Sequence, residues 1–435
     1  MASSLAQVWR RLRVAWTRKT LWKRRIVFFV GAVLVGCGAV VFAYLADQAH
    51  ALFLEIRALS PNVPLLLTPA VFALAAWLTR RYFPGAEGSG IPQVIAARRS
   101  ADPGLRQRLL GAKVTIGKVA LTLLGLAAGA SIGREGPTVQ IGAAIMFVVA
   151  SYAGIGRQHG LVLAGSAAGI AGAFNTPLAG IVFAIEEMAK SYERRMNGLV
   201  VAAVLIGGMT SLALVGQYLY FGRVSVGLSH ETHWFAVALC GLVGGLFGGL
   251  FSRLVAGMIG ARDGLLDRIK RWPAAYAAAC GLVVAVLGLA TAGYAFGTSY
   301  EETRMAVEHG VTIPWWYAPA KFVATTLSSV AGIPGGLFSP SLSVGAGIGS
   351  GLTHLLPGID PRVVVLLAMA GYFAGVVQAP LTAFIIVLEM TADEAMLLPL
   401  LATSLMAAGV SRMVAPEPLY HALSFNYAPA SSLQR

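Results

Sequence analysis

Four carboxylates are embedded in stretches of sequence that hold almost nothing else ionisable: Glu135, Glu186, Glu187 and Glu389. Most of the chain's 19 acidic residues fall in expected loops or near the ends of apolar runs, so these four stand apart. Three short segments also share a pattern: Gly88-Ser89-Gly90-Ile91-Pro92, Gly133-Arg134-Glu135-Gly136-Pro137 and Gly335-Gly336-Leu337-Phe338-Ser339-Pro340. Each is a glycine-containing turn that ends in proline and runs into a sequence able to form a helix. Proline suits the first helical turn, where its missing N–H would have no intrahelical partner. Glycine permits tight turns and close backbone approach. Several helix N-termini meeting at one point would aim free N–H groups and positive dipole ends at it, which makes a site for an anion. A single such segment does no more than punctuate a loop; three in one chain favour the anion site. Glu135 adds a second chemistry, because it puts a carboxylate where a helix N-terminus would hold a free anion. Ionised, it competes for the site as a tethered anion; protonated, it loses its charge and leaves. One group then links proton binding to anion passage.

The elements that must position these residues are membrane helices. Of the 435 residues 57% are hydrophobic and 12% charged, against about 25% charged in a typical soluble domain. A soluble monomer of this size would lack the polar residues to cover its surface. Ionisable groups inside a membrane are costly, so each embedded glutamate is a functional candidate. The net charge of +14 invites a nucleic-acid reading, but its distribution argues otherwise. Eight of the 33 basic residues (Arg10, Arg11, Arg13, Arg18, Lys19, Lys23, Arg24 and Arg25) precede the first acidic one, Asp47. They flank an apolar run at 26–46 whose 21 residues make a helix of about 31 Å, enough to cross the hydrocarbon core. A basic flank beside a first span predicts a cytoplasmic N-terminus. The run is too long for a signal peptide, and no small-residue cleavage site follows it. Residues 1–25 therefore read as a cytoplasmic helix facing lipid headgroups, with no nucleic-acid partner expected. Apolar stretches recur at roughly 64–79, 113–130, 139–155, 161–185, 199–220, 234–260, 274–297, 315–331, 341–356, 363–388 and 396–415. The 51 glycines suit close helix packing, and interrupted helices are tolerated only where the freed backbone is buried in protein or lines a cavity. Cys37, Cys240 and Cys280 are isolated, and the seven histidines show no ligand spacing, so neither disulfides, metal nor cofactor is expected.

An offset of 203 residues superimposes the most unusual features without a gap. Gly133 falls on Gly336, Pro137 on Pro340, Gly142 on Gly345, Gly172 on Gly375, Pro177 on Pro380, Leu178 on Leu381 and Glu186 on Glu389. Glycines match by chance in so glycine-rich a chain; two prolines and a glutamate in one register do not. Glycine- and proline-interrupted segments at corresponding positions of two halves point to a transporter's binding site. The halves are read as 26–220 and 232–420, joined by 221–231 and followed by a short tail at 421–435. The offset leaves open whether they are parallel or inverted.

The three segments, together with Pro418-Leu419-Tyr420 and the FNTPLAGIVFAIEEM stretch at 174–188, resemble in order and spacing the anion-site segments of the CLC family of chloride channels and transporters. The resemblance runs from the basic arm to Tyr420. It implies an all-α polytopic membrane protein built from two inverted-topology repeats of tilted and broken helices, and a homodimer in which each subunit has its own pore. It implies that Ser89 and Tyr420 offer hydroxyl groups to a central anion, and that the backbone N–H groups of Leu337 and Phe338 complete that site. Arg134 and Gly136 would flank the anion beside Glu135. Ser89, where nitrate-preferring relatives tend to carry proline, implies a chloride preference. Read without the resemblance, Ser89 is an ordinary helix N-cap and Tyr420 an interfacial anchor. Glu135 takes the part of the extracellular-side gate and proton acceptor, and Glu187 that of the intracellular proton-transfer glutamate. Lys118 would act through its charge alone, drawing anions inward.

The acid at position 187, commonly missing in channel members, favours an exchanger of chloride for protons over a passive voltage- or pH-gated chloride channel of the same fold. Fluoride export fits Ser89 in this setting poorly. Glu186 and Glu389 read as structural, pairing with arginine or capping backbone amides, since Met390 stands where Glu187 would repeat. An intramembrane hydrolase using Ser166 or Ser350 lacks a Gly-x-Ser-x-Gly elbow, so no enzyme is expected. Gln93 departs from the glutamate common in relatives. The short tail, without a cytoplasmic regulatory region, points to a prokaryotic type without nucleotide regulation. The expected setting is a multi-pass protein of the cell (inner) membrane, handling chloride ions and protons.

Overall fold

The computed structural model describes residues 19–154, 159–189, 197–216, 219–228, 233–261 and 263–427. Regular structure among the described residues is helical, apart from two isolated backbone bridges. The first half contains α1 (Lys19–Leu59), α2 (Pro64–Tyr82), α3 (Ile91–Arg99), α4 (Pro103–Leu110), α5 (Ala112–Leu126), α6 (Glu135–Tyr152), α7 (His159–Phe174), α8 (Pro177–Phe183) and α9 (Asn197–Val215). The second contains α10 (Trp234–Gly260), α11 (Gly264–Lys270), α12 (Pro273–Ala290), α13 (Tyr300–His309), α14 (Tyr317–Val330), α15 (Phe338–Leu352), α16 (Pro361–Val377), α17 (Pro380–Thr391), α18 (Leu397–Val414) and α19 (Leu419–Ser424). Five stretches, Trp22–Leu59, Pro103–Leu126, Trp234–Gly260, Pro273–Ala290 and Glu394–Val414, are long and apolar enough to cross a membrane by length and composition.

The basic arm is only partly described. Arg10, Arg11, Arg13 and Arg18 lie outside the described residues, and Lys19, Lys23, Arg24 and Arg25 lie within α1. Described residues of the tail are not loose: 421–424 belong to α19, and the Tyr427 hydroxyl accepts a hydrogen bond from Gln93 Nε2 at 3.1 Å. The connection after α9 is also pinned, with the N–H groups of Phe221 and Val224 donating to the carbonyls of Met390 and Thr391.

Two apolar runs that read as continuous, 161–185 and 363–388, are each broken in two. Asn175 (φ 58°) and Gln378 (φ 55°) adopt the left-handed conformation, and the helix resumes two residues later at Pro177 and Pro380. A residue before proline is pushed out of the helical region, and proline has no N–H to continue the ladder. Asn175 and Gln378 stand at equivalent positions of the two halves, so the breaks belong to the repeat.

The contacts between halves are reciprocal. Glu389 accepts from the N–H groups of Leu178 (3.0 Å) and Ala179 (2.7 Å) at the start of α8. Glu186 accepts from those of Leu381 (3.0 Å) and Thr382 (2.7 Å) at the start of α17. Each half thus caps a helix of the other with its own copy of one glutamate, as a pseudo-two-fold axis requires. The Gly133 and Gly336 pair repeats this, each N–H donating to the other's carbonyl at 2.8 and 2.7 Å. Elsewhere close packing rests on glycine. On α10, a Cβ on Gly244 would lie 2.6 Å from the Tyr372 backbone nitrogen, and one on Gly248 would lie 2.6 Å from the Tyr372 carbonyl oxygen. No side chain fits there without parting α10 from α16.

Two outcomes are expected in thermal unfolding of detergent-purified protein. Glu186→Ala and Glu389→Ala should each destabilise by about 1–2 kcal/mol and by similar amounts; a loss confined to one of them would contradict the symmetric capping. Gly248→Val should cost about 3 kcal/mol or more, while Gly257→Ala, with nothing within 4 Å of the added atom, should be neutral.

Candidate functional site

The three glycine-proline segments converge. Gly88 N–H donates to the Ile333 carbonyl and Gly335 N–H to that of Gly88, both at 3.0 Å, while Gly133 and Gly336 exchange their pair. These bonds bring the first turns of α3, α6 and α15 to one place. A Cβ on Gly136 would strike Ser89 Oγ and come within 3.2 Å of Gly336 Cα, so at this position glycine alone lets the segments meet. The fourth segment arrives with α19, which sets the Tyr420 ring 6.1 Å from that of Phe338.

Glu135 is fully buried, and its carboxylate lies over the first turn of α15. Ser339 Oγ donates to Oε1 at 2.5 Å, and the Ser339 N–H to Oε2 at 3.4 Å. A carboxylate thus sits on the N-terminus of the opposite half's helix, in the seat a free anion would take. Ser89 and Tyr420 are also buried; their hydroxyls lie within reach of each other, and neither makes a well-formed hydrogen bond among the described residues. A buried hydroxyl without a partner costs about 1–3 kcal/mol, so two beside the same helix ends mark a place built to bind something that accepts hydrogen bonds.

The remaining candidates are placed differently. The Arg134 guanidinium turns away from the seat and binds α1, at 2.9 Å from the Ala43 carbonyl and 2.6 Å from Asp47 Oδ1. Only its backbone faces the first turn of α6. Lys118 is fully buried and donates to the carbonyls of Gly88 (2.7 Å) and Glu87 (3.2 Å), so its charge is delivered by gripping the loop that carries Ser89. Leu337 and Phe338 open α15 itself. Glu187 lies at the far end of α8, in the π-helical turn Ala184–Ala189, and is buried. Tyr420 is within electrostatic reach of both Glu135 and Glu187.

Two cavities approach this point. One of about 1180 Å³ is lined by residues that include Asp47, His50, Arg134, Tyr220, Glu301 and Glu302. A small one of about 40 Å³ lies on the Ser89 side, against Leu337, Leu423 and Tyr427. Tyr220, a wall of the first, has its hydroxyl 3.3 Å from Ser339 Oγ. A polar thread therefore runs from the larger cavity through Tyr220 and Ser339 to Glu135.

A sequence profile described as voltage gated chloride channel matches residues 71–412. The chain belongs to the CLC family. Three solved structures share the fold. A slow cyanobacterial Cl-/H+ antiporter is 24% identical with a TM-score of 0.80, over 93% of this chain and 98% of that one. A CLC-type fluoride/proton antiporter is 22% identical at 0.75, over 93% and 99%. A eukaryotic CLC transporter is 23% identical at 0.74, over 93% of this chain and 74% of that one. This CLC chain is a membrane protein of that all-helical architecture.

Several residues of this CLC site escape a reading of the sequence. Ser339 lies inside a motif recognised for its glycines and proline, and only the fold shows its hydroxyl meeting Glu135. Lys321 is the repeat partner of Lys118 at the same offset; it is fully buried and donates to the carbonyls of Ala295, Phe296 and Gly297. That match was visible in the alignment of halves. Gln93, the departure from the family pattern, donates to the Gly85 and Glu87 carbonyls and to Tyr427, so its amide ties down the loop before Ser89 without adding charge.

Chloride-binding calorimetry on Ser339→Ala, Glu135→Ala and the double variant is expected to give a coupling energy of about 1–3 kcal/mol, the range of a hydrogen bond to a charged group. Additivity would show that the serine does not hold the carboxylate.

Proposed function

We propose that this CLC protein is a secondary active transporter that exchanges chloride for protons across the cell membrane. The observation that carries the reading is the Glu135 carboxylate on the N-terminal turn of α15, bonded to Ser339. Ionised, the side chain and a chloride ion compete for the same N–H groups; protonated, it gives up its claim and carries a proton away from the seat. Ser89 and Tyr420, both buried, are the donors to a central chloride, with the first-turn N–H groups of α15 at Leu337 and Phe338 beside them. Arg134 and Gly136 contribute backbone at the start of α6, and Lys118 adds positive charge next to the Ser89 loop.

Glu187 is the proton-transfer glutamate of the other side. Its burial among apolar residues at the far end of α8 supports a route by which protons reach Glu135 apart from the anion. Two solved structures of the same fold are antiporters, one of chloride and one of fluoride against protons, which agrees with exchange. The working unit is a homodimer in the cell (inner) membrane with a cytoplasmic N-terminus, Glu135 facing the extracellular side and Glu187 the cytoplasmic side. No cofactor enters the scheme.

Purified protein in liposomes, with chloride and proton movement recorded together, tests this directly. A chloride gradient is expected to drive protons uphill. Glu187→Ala should lose the proton flux while still moving chloride, and Glu135→Ala should lose both coupling and gating. Chloride flux without protons in the wild type would make the protein a passive channel, and uptake confined to fluoride would make Ser89 a poor guide to the anion.

A further inference from the structure

Glu187 is almost wholly buried, with a side chain 4% exposed, so a proton from solution needs a carrier to reach it. The side chain placed to do this is His421, the residue after Tyr420. Its Nε2 lies 3.8 Å from Glu187 Oε1 and 3.2 Å from the Glu187 carbonyl oxygen. Its Nδ1 lies 2.8 Å from a terminal nitrogen of Arg99, a half-buried residue in the last turn of α3. Arginine can only donate, so Nδ1 accepts; the ring proton is therefore on Nε2, which donates to the Glu187 carbonyl. Among the described residues, Arg99 from α3 and Glu187 from the turn after α8 face the ring, with Tyr420 next to it on its own helix. The ladder Arg99, His421, Glu187 runs from a partly exposed cation to the buried acid.

We propose that His421 is the proton carrier that loads and unloads Glu187, an assignment that rests on the exchange reading above. When Arg99 swings away, Nδ1 takes a proton from water and the ring becomes an imidazolium. Rotation of the Glu187 side chain closes the 3.8 Å gap, the Nε2 proton passes to Oε1, the carboxylate becomes a neutral acid, and the ring is left neutral with its proton on Nδ1. The returning Arg99 N–H is compatible only with an unprotonated Nδ1, so the ring resets to the Nε2–H form by exchange with water. Release runs the same steps backwards.

His421→Gln separates carrying from holding. The glutamine carbonyl can accept from Arg99 and its amide can donate to the Glu187 carbonyl, but it cannot carry a proton near neutral pH. In liposomes with both fluxes recorded, the proton-to-chloride flux ratio of His421→Gln is expected to fall by at least about tenfold, less than the roughly 10²–10⁴-fold a positioned acid–base group contributes. A merely structural histidine predicts that His421→Gln stays coupled while His421→Ala does not, and that result would overturn the proposal. Should His421→Gln not yield folded protein, His421→Asn is measured in its place with the same expectation. Wild-type protein in the same vesicles separates the two levels: an uncoupled wild type removes the exchange reading and this proposal together, whereas a coupled wild type and an equally coupled His421→Gln remove this proposal alone.

Discussion

The first N–H groups of a helix have no partner within it, and within a bilayer there is no ready water to supply one. This protein starts many helices in its interior, so the constraint recurs, and the fold can be understood as a set of answers to it. At α8 and α17 the answer is a carboxylate from the opposite half, Glu389 for one and Glu186 for the other. At α15 it is the Glu135 carboxylate at the head of α6. At Gly133 and Gly336 it is a reciprocal backbone pair that brings the heads of α6 and α15 together. The same bond, N–H to carboxylate, is scaffold in two places and the candidate gate in the third. What differs, on the proposed reading, is whether the carboxylate can be replaced: Glu186 and Glu389 each satisfy two N–H groups of a helix they cap, while Glu135 would give way to a free anion.

The repeat supplies the symmetric part of this design and departs from it where chemistry is needed. Glu135 stands opposite Phe338, Glu187 opposite Met390 and Arg134 opposite Leu337, whereas the capping glutamates, the buried lysines 118 and 321, and the glycine-proline turns at 133–137 and 336–340 keep their counterparts. A two-fold arrangement with two gates would offer two competing carboxylates for one seat. With phenylalanine at one of the two positions, the proposed scheme has a single tethered competitor, and the Phe338 ring packs near Tyr420 and Phe373.

Much of this was legible because the constraint writes itself into sequence. Glycine and proline must appear where a helix starts in the interior, and a carboxylate inside an apolar run must have a reason. Hence the turns, the repeat and the four glutamates stood out. The breaks at Asn175 and Gln378 did not, because the runs they interrupt are uniformly apolar and only the Thr176-Pro177 and Ala379-Pro380 steps give them away. Arg134 was legible by position but not by direction, since its partner Asp47 lies far away in the chain on α1. Ser339 and His421 were invisible for the same reason: a serine and a histidine gain meaning from what touches them, and their partners, Glu135 and Glu187, lie more than two hundred residues away.

The bond from Ser339 to Glu135 also limits how the gate can be built. For a carboxylate and an anion to alternate in one seat, their free energies there must be close, because a bias of about 5.5 kcal/mol already holds a two-state element almost wholly on one side. A hydrogen bond to a charged group contributes about 1.5–3 kcal/mol. Two such bonds, from the Ser339 hydroxyl and N–H, would carry the seated state toward that limit if the anion gained nothing comparable. On the proposed reading it does gain, since the same N–H and hydroxyl would face a chloride in the seat as readily as a carboxylate oxygen. The bonds therefore act on both competitors and largely cancel in the difference. In the proposed exchanger, what remains to tip the balance is the charge of Glu135 itself, which a proton would set.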